Sequence, residues 1–184
     1  VLERASVLNL DQIRKDFPIL QTGIIYLDST ASSLTPEPVL ERMMEFYHDY
    51  RANVERGIHR LSVKASEEYE KARSKIADFI NAKSASEIIL TRNTTEGINL
   101  VAQGLDWKKG DKIVTTVLEH HSNFIVWLRA RDKHDAIVEV IKPRKPVVKG
   151  ILDPADFEKA VDDKTKLVAV TPVSYTHLRA HETV

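Results

Sequence analysis

From residue 87 onward the chain alternates short apolar runs with longer amphipathic stretches. The short runs have the length and composition of buried strands, and the amphipathic stretches repeat their apolar positions with the period of a helix. The pattern predicts strand 87–92, helix 95–103, strand 112–117, helix 122–132, strand 136–141, helix 154–161 and strand 166–171. Such alternation is typical of βαβ units, so we predict an α/β fold with a mainly parallel sheet and helices on its faces.

The first part of the chain has mainly helical patterns. An N-terminal arm, 1–22, contains a short helix that ends before Pro18, and a short strand is predicted at 24–27. Pro36 opens a further helix, because proline is favoured in the first turn. The apolar side chains of this helix share one face, which we expect to be core: Val39, Leu40, Met43, Met44, Tyr47 and Tyr50. A second helix carries apolar residues at helical spacing, namely Tyr69, Ala72, Ile76, Phe79 and Ile80.

Composition narrows the choice of function without selecting one. The 184 residues carry 27 lysines and arginines against 27 aspartates and glutamates, so no net field attracts nucleic acid or an anionic membrane. There is no cysteine, which excludes disulfides, thiolate metal sites and a cysteine nucleophile within these residues. No apolar run reaches the roughly 18 residues that a transmembrane helix needs. We therefore expect a cytoplasmic protein with no nucleic-acid or membrane partner.

The most informative segment is the junction 88–99, where an apolar run passes through a polar turn into the start of a helix. At a helix N-terminus several backbone N–H groups lack partners and the helix dipole is positive, so a phosphate can bind there. Thr94 and Thr95 add two hydroxyl groups to these donors. Taken alone, the same residues also fit an ordinary helix start with Thr94 as its N-cap.

A second polar turn, 119–123, has the sequence Glu-His-His-Ser-Asn and follows strand 112–117. It lies at the carboxyl end of that strand, the edge at which ligands of open α/β sheets bind. One pocket can therefore combine the phosphate donors of the first turn with an imidazole placed against a heteroaromatic ring. The alternatives are a structural histidine or a metal site. Adjacent histidines point apart and rarely share one ion, so we expect no metal there.

The loop 53–59 precedes the second helix and ends in Arg-Gly-Ile-His. Arg56 and His59 flank Gly57, and we expect this loop to be mobile or partner-facing unless something pins it. The chain also holds a serine-rich turn near residue 30, but no base lies beside those serines and no Gly-x-Ser-x-Gly elbow is present. A serine hydrolase therefore has little support.

Taken in order, four motifs resemble SufS-type cysteine desulfurases, which are pyridoxal-phosphate enzymes of the class V aminotransferase group with fold type I. The motifs are Tyr-Leu-Asp-Ser-Thr-Ala-Ser at 26–32, the loop 53–59, Thr-Thr-Glu-Gly-Ile-Asn at 94–99, and Glu-His-His-Ser-Asn at 119–123 with Trp127. The resemblance covers about residues 8–174. It implies that the chain is the amino-terminal portion of the fold type I large domain, because family members are considerably longer.

The resemblance implies roles for residues of this sequence. Thr94 and Thr95 would hold the phosphate of pyridoxal 5'-phosphate through backbone amide and hydroxyl groups, and His120 would stack on the pyridine ring and assist proton transfer. Three further residues would lie near the substrate mouth or the dimer partner, namely Ala31, Arg56 and His59. The implied reaction converts L-cysteine to L-alanine and leaves an enzyme persulfide, a sulfur supply for iron-sulfur cluster assembly. A homodimer and a sulfur-acceptor protein are implied as well.

Two departures limit the resemblance. Glu55 stands where some relatives carry histidine, and residues 173–184 match no part of the family, so we interpret this tail as a non-native fusion to a truncated reading frame. The predicted organisation is then the arm 1–22, a truncated transferase domain 23–172, and the tail. The lysine that forms a Schiff base with the cofactor and the nucleophilic cysteine belong to later segments of the family. We therefore expect this piece to be inactive by itself.

Two other functions remain open at this point. The phosphate and ring contacts are shared among class V enzymes, so a selenocysteine lyase, a kynureninase-like hydrolase or an aminotransferase is the first alternative. The second is a non-catalytic fragment or interaction module, which needs no completed active site. A cysteine on a loop outside this sequence would favour the desulfurase.

Overall fold

The computed structural model describes residues 9–29, 31–143 and 152–171. The chain forms two compact units, Val1–Ile89 and Leu90–Val184. The predicted tail 173–184 lies outside the described residues, so its interpretation stays a prediction. None of the helices in these ranges combines the length with the hydrophobicity that a transmembrane span requires.

Helices build the first unit. They are α1, Leu10–Lys15, α2, Glu37–Glu45, and α3, Arg60–Phe79. Shorter turns are the 3₁₀ segments Pro18–Thr22 and Ala85–Glu87 and the π-helical turn Phe46–Tyr50. Asn9 caps α1, since its Oδ1 accepts the N–H of Gln12 at 3.0 Å. Arg42 of α2 donates to Glu68 of α3 at 3.0 Å, which links the two longer helices. The helices predicted for this part of the chain are confirmed.

Two of the predicted strands are wrong. Neither 24–27 nor 87–92 is paired with another strand in the part of the chain that the structure describes. A strand is held by its hydrogen-bond ladder to a neighbour, and an apolar run specifies hydrophobicity without specifying that neighbour. The apolar side chains of these two runs are not uniformly buried either. Ile88 is buried, whereas Ile25 and Ile89 are 82% and 71% exposed.

The apolar face of α2 and the π-helical turn, which we expected to be core, is largely exposed. Tyr50 is buried, with the Phe46 ring edge-on at 5.5 Å and Lys64 Nζ 4.5 Å from its centroid. The other five side chains are between 40% and 54% exposed, namely Val39, Leu40, Met43, Met44 and Tyr47. Helical periodicity identifies an apolar face but not the element that covers it. Among the described residues of the first unit, too little packs on this face to bury it.

The second unit contains the sheet. Its helices are α4, Thr94–Gly104, α5, Ile125–His134, and α6, Pro154–Ala160. Its strands are β1, Lys112–Thr116, β2, Ile137–Ile141, and β3, Thr165–Ala169. A 3₁₀ turn, His121–Asn123, precedes α5. These elements confirm the predictions made from residue 95 onward, with boundaries that differ by a few residues.

The three strands pair in parallel in the order β2-β1-β3. The register of β1 with β2 runs from Lys112 opposite Ile137 to Thr116 opposite Ile141. Parallel neighbours need crossover connections, and α5 and α6 lie in those connections. The chain is therefore an α/β protein with a parallel sheet and flanking helices, as its alternating pattern predicts.

Every residue of β1 is buried, because β1 is the central strand and both faces of the sheet are covered. Ile113 packs in a cluster with Trp127 of α5. Val114 points to the other face and packs in a cluster with Ala160 of α6. Packing on both faces fixes β1, and with it the start of the polar turn that follows Thr116.

One charged side chain is buried at the beginning of β1. The Lys112 ammonium donates to Asp162 at 2.7 Å and to Glu139 at 3.1 Å. The hydrogen bond to Asp162 is the main reason that the pKa of Lys112 is raised, and burial opposes it. The ammonium stays protonated and links β1 to β2 and to the segment before β3. This ion-pair cluster lies at the end of β1 opposite the polar turn.

Candidate functional site

Helix α4 begins with a reciprocal cap. Asn93 is the N-cap, and its Oδ1 accepts the N–H of Glu96 at 2.9 Å. The Glu96 carboxylate in turn accepts the backbone N–H of Arg92 at 2.7 Å and the Arg92 guanidinium at 3.2 and 3.1 Å. The interpretation of Thr94 as the N-cap is therefore wrong, because Thr94 is already the first helical residue.

This cap leaves donors available at the start of α4. The backbone N–H groups and the hydroxyls of Thr94 and Thr95 have no hydrogen-bond partner among the residues that the structure describes, and both residues are exposed. The helix is 11 residues long, so its dipole adds a positive potential at this end. Two amides, two hydroxyls and the dipole are together suited to an anion such as a phosphate.

Arg92 neutralises the acidic side chain nearest to these donors. Its side-chain and backbone hydrogen bonds hold the pKa of Glu96 below the usual value, so the carboxylate is charged. A carboxylate without a cationic partner in the first turn would repel an anion bound there. The Arg92–Glu96 ion pair removes that conflict while it completes the cap.

His120 follows β1 and is the N-cap of the turn His121–Asn123. Its Nδ1 accepts the N–H of Ser122 at 3.2 Å and lies 2.8 Å from Ser122 Oγ. A backbone N–H can only donate, so Nδ1 holds a lone pair and the neutral ring carries its proton on Nε2. The His120 side chain is exposed, and α4 packs against the turn that follows it.

The neighbouring His121 has different surroundings. Its ring centroid lies 6.2 Å from that of His120, with an angle of 48° between the ring planes. Across residues 9–29, 31–143 and 152–171, no group of three His, Asp or Glu side chains is arranged to hold a metal ion. The turn holds a ring nitrogen of His120, which singles that histidine out for a role that needs a fixed imidazole.

Glu119 is a residue of this site that the sequence analysis does not single out. Its carboxylate accepts hydrogen bonds from Thr116 Oγ1 at 2.7 Å and from Asn123 Nδ2 at 2.7 Å. Thr171, just after β3, adds its hydroxyl at 2.6 Å and its backbone N–H at 3.1 Å. Asn123 lies in the same motif and is a local signal, whereas Thr171 is 52 residues away and no sequence pattern connects it.

These hydrogen bonds determine the ionisation of Glu119. Burial raises the pKa of its carboxyl group, but the hydrogen bonds from Thr171, Thr116 and Asn123 outweigh burial and hold the pKa below its usual value. The folded state therefore favours the carboxylate, which can accept from all four donors.

We expect acidification to remove the stability that Glu119 contributes. Because its folded-state pKa lies below that of an unfolded glutamate, about 4.3, the contribution is complete above that pH and is lost as the pH falls through the folded-state value. Urea denaturation between about pH 6 and 3 should show a steeper loss of unfolding free energy for the wild type than for Glu119→Gln. Glu158→Gln, at an exposed position of α6, is the control. Parallel profiles for wild type and Glu119→Gln would contradict the prediction.

The loop 53–59 of the first unit is pinned to α3. Ser62 is fully buried, and its Oγ donates to the carbonyl of Asn53 at 2.5 Å. Ser66 Oγ accepts the N–H of Glu55 at 2.8 Å. Glu55 has a left-handed φ of 61°, which is uncommon for a residue with a side chain. We expected this loop to be mobile or partner-facing unless something pins it, and these hydrogen bonds to α3 pin it.

Gly57 passes against α3 with no room for a side chain. A Cβ at this position would lie 2.5 Å from Ser62 Oγ and 2.7 Å from Ser62 Cβ. We expect Gly57→Ala to destabilise the chain by about 1 to 3 kcal/mol through overpacking. Gly104→Ala is the control, because its Cβ would meet nothing within 4 Å and alanine favours the helix by about 1 kcal/mol. Thermal denaturation, followed by circular dichroism, measures both variants. A midpoint for Gly57→Ala equal to or above that of the wild type would refute the prediction.

The other predicted site residues belong to the first unit. Arg56 and His59 are exposed on the pinned loop, and His59 lines a cavity of about 430 Å³. Ala31 lies in a separate turn, which the Tyr26 hydroxyl holds by donating to the carbonyl of Ser32 at 2.5 Å. The substrate-proximal roles of Ala31, Arg56 and His59 stay predictions.

Comparison with known proteins points to one family. The family model for aminotransferase class-V matches residues 25–177. A probable cysteine desulfurase from Pyrococcus abyssi is 52% identical over 166 residues, which cover 89% of this chain and 40% of the relative. An apo structure of a cysteine desulfurase from Thermococcus onnurineus NA1 has a TM-score of 0.83 at 49% identity, covering 93% of this chain and 42% of that one. A cysteine desulfurase structure from Escherichia coli has a TM-score of 0.74 at 33% identity, covering 89% and 41%.

The chain thus spans about 40% of the length of the relatives that it matches. This coverage agrees with the expectation that members of the family are considerably longer. The family match ends at residue 177, a few residues inside the predicted tail. The matches concern the chain as a whole and assign no role to a single side chain.

Proposed function

Because the chain belongs to the aminotransferase class-V family, we propose that the whole protein is a SufS-type, pyridoxal-phosphate-dependent cysteine desulfurase. One observation within the second unit carries the proposal. Helix α4 begins with donors of Thr94 and Thr95 that have no partner in the described part of the chain, and α4 packs against the turn that His120 caps at the carboxyl end of the sheet. A phosphate site and a planar imidazole on neighbouring elements match the two ends of one phosphorylated heteroaromatic ligand.

The residues present fit pyridoxal 5'-phosphate. The amides and hydroxyls of Thr94 and Thr95 suit its phosphate, and the Arg92–Glu96 pair leaves no uncompensated carboxylate beside it. The exposed ring of His120 offers a flat face for stacking on a pyridine. When bound, the cofactor supplies an electron sink for bond breaking at the substrate α-carbon.

In this proposal the His120 ring carries a proton, and it does so at one defined atom. Ser122 holds Nδ1 of His120, so Nε2 is the atom through which the neutral ring exchanges a proton with a bound group. The pinned loop supports a further part of the proposal, in which Arg56 and His59 stand at fixed positions near the substrate. Ala31 belongs to the same proposed substrate mouth.

We extend the proposal to substrate, partners and location. L-cysteine is the proposed substrate and L-alanine the product, which rests on relatives named cysteine desulfurase. The chain has no cysteine, so the sulfur-carrying residue must come from elsewhere in the whole protein, and these 184 residues alone are proposed to be inactive. A homodimer, a sulfur-acceptor protein, a role in iron-sulfur cluster assembly and a cytoplasmic location complete the proposal.

The phosphate site is tested by two substitutions at the start of α4. Thr94→Pro removes one N–H and one hydroxyl while the first helical position tolerates proline. Thr95→Val removes the second hydroxyl at nearly constant shape. We expect Thr95→Val to weaken pyridoxal-phosphate binding by about tenfold, the value of one hydrogen bond to a charged group. Thr94→Pro, which removes two donors, should weaken it by about 100-fold, as measured by isothermal titration calorimetry.

Two controls separate phosphate recognition from damage to the helix. Thr95→Ser keeps the hydroxyl and should bind the cofactor like the wild type. Pyridoxal, which lacks the phosphate, should bind wild type and Thr94→Pro alike. Unchanged pyridoxal-phosphate affinity in both Thr94→Pro and Thr95→Val, with helix content retained, would reject the proposed phosphate site.

A further inference from the structure

We propose that Glu119 is a positioning residue that fixes the His120 ring by clamping the turn His121–Asn123 to the ends of β1 and β3. The purpose of this clamp rests on the proposed function, in which His120 meets the cofactor. The clamp itself is a property of the chain and is present without any ligand.

The two oxygens of Glu119 have separate partners. Oε1 accepts from Thr116 Oγ1 at 2.7 Å and from the Thr171 N–H at 3.1 Å. Oε2 accepts from Asn123 Nδ2 at 2.7 Å and from Thr171 Oγ1 at 2.6 Å. The carboxylate therefore joins the ends of two parallel strands through Oε1, and it links the turn to the end of β3 through Oε2.

Asn123 transmits this link to the segment that carries His120. Its backbone N–H donates to the His120 carbonyl at 2.8 Å, and its side-chain Oδ1 accepts from Trp127 Nε1 at 3.3 Å. Trp127 is only 3% exposed and belongs to the core cluster beneath the sheet. The Asn123 side chain is thus held by Glu119 on one side and by Trp127 on the other. Asn123 ends the turn in which the Ser122 N–H donates to His120 Nδ1.

Glu119 acts through His120 and does not itself reach a ligand. Four donors occupy its two oxygens, and the side chain is half-buried between β1, the turn and the residue after β3. A carboxylate is needed because every partner on both oxygens donates. Removing the Oε2 acceptor should therefore release the turn and the Thr171 hydroxyl, while Oε1 keeps its hydrogen bonds from Thr116 and from the Thr171 N–H.

Glu119→Gln creates a specific conflict. The new amide should keep its oxygen toward Thr116, because an NH₂ group on that side would face the Thr171 backbone N–H, whereas the Thr171 hydroxyl on the other side can accept. Its NH₂ group then faces Asn123 Nδ2, and two donors meet. Asn123 cannot relieve this by turning its amide over, because its Nδ2 would then face Trp127 Nε1, which also only donates. Asn123→Asp resolves the conflict in the double variant, because its carboxylate accepts from both the new amide and the indole.

The test measures the ring tautomer of His120 by ¹⁵N NMR of the 184-residue chain without ligand. Loss of the Ser122 N–H bond to Nδ1 should shift the Nε2–H to Nδ1–H ratio of the neutral ring about fivefold in Glu119→Gln, the factor that one neutral hydrogen bond is worth. Glu119→Gln/Asn123→Asp should restore the wild-type ratio. Thr171→Val keeps the Asn123 link and loses only a strand contact, so it should lower the urea midpoint and leave the ratio unchanged.

The outcomes separate positioning from a purely structural role. A wild-type tautomer ratio in folded Glu119→Gln, or an equal shift in Thr171→Val, would overturn the proposal. If Glu119→Gln does not fold, the double variant decides, and a double variant that is unfolded or has an altered ratio also overturns it. Because no cofactor is added, a failure of the cofactor proposal shows as absent pyridoxal-phosphate binding and leaves this result intact.

Discussion

Replacing His120 with alanine is expected to lower alanine formation from L-cysteine by the whole protein by about 100-fold or more, the lower end of what a positioned acid or base contributes. The reason is that Ser122 holds Nδ1, so His120 presents its Nε2 proton in a defined direction at the carboxyl end of β1. Alanine has neither the proton nor the flat ring. The measurement is the rate of alanine release at saturating cysteine.

The matched control is the adjacent imidazole. His121→Ala removes a histidine whose ring nitrogens make no hydrogen bond to the turn among the described residues. The activity of this variant should stay close to that of the wild type. Cofactor affinity should fall in His120→Ala because the stacking ring is lost. The rates are therefore compared at saturating pyridoxal phosphate, which the untouched donors of Thr94 and Thr95 still bind. Equal activities of His120→Ala and His121→Ala would contradict the assignment of His120.

Local patterns predict the helices and the central sheet well. Amphipathic spacing locates α3 and α5, and the apolar run at 112–117 becomes a strand because helices on both sides supply the burial that the run requires. The runs at 24–27 and 87–92 have similar composition and remain unpaired in the described residues. The difference lies in non-local partners, which a single sequence does not display.

The same division applies to the site. Thr94 and Thr95 are predicted from a helix start, and an imidazole from a turn after a strand, since both signals are local. The choice of His120 within that turn is implied by the family resemblance. The N-cap Asn93 and the hub Glu119 depend on side-chain geometry, and Thr171 joins Glu119 from across the sheet. Local sequence signals therefore locate the groups that would touch a ligand, whereas the residues that hold these groups in place depend on side-chain contacts that a single sequence does not display.

Trp127 is the side chain at which the core and the site meet, and its loss is expected to have the largest effect on stability. Trp127 is nearly fully buried against Ile113 and Ala102, and its indole N–H donates to Asn123. Trp127→Ala should cost about 3 to 5 kcal/mol, the usual range for deleting a large buried aromatic side chain. A domain of this size is stable by only about 5 to 15 kcal/mol, so Trp127→Ala should remove between about a fifth and all of its free energy of unfolding.

The second tryptophan provides the comparison. Trp107 packs against the edge of the same cluster, is only half-buried, and donates its indole N–H to the Ala102 carbonyl at 2.7 Å. Trp107→Ala should therefore lower the urea midpoint, followed by far-ultraviolet circular dichroism, by clearly less than Trp127→Ala. Trp127→Phe separates the two contributions of Trp127, because it keeps most of the buried ring area and loses the bond to Asn123. We expect it to retain the fold and to alter the turn that carries His120. A midpoint for Trp127→Ala equal to that of Trp107→Ala would show that the core does not depend on this ring.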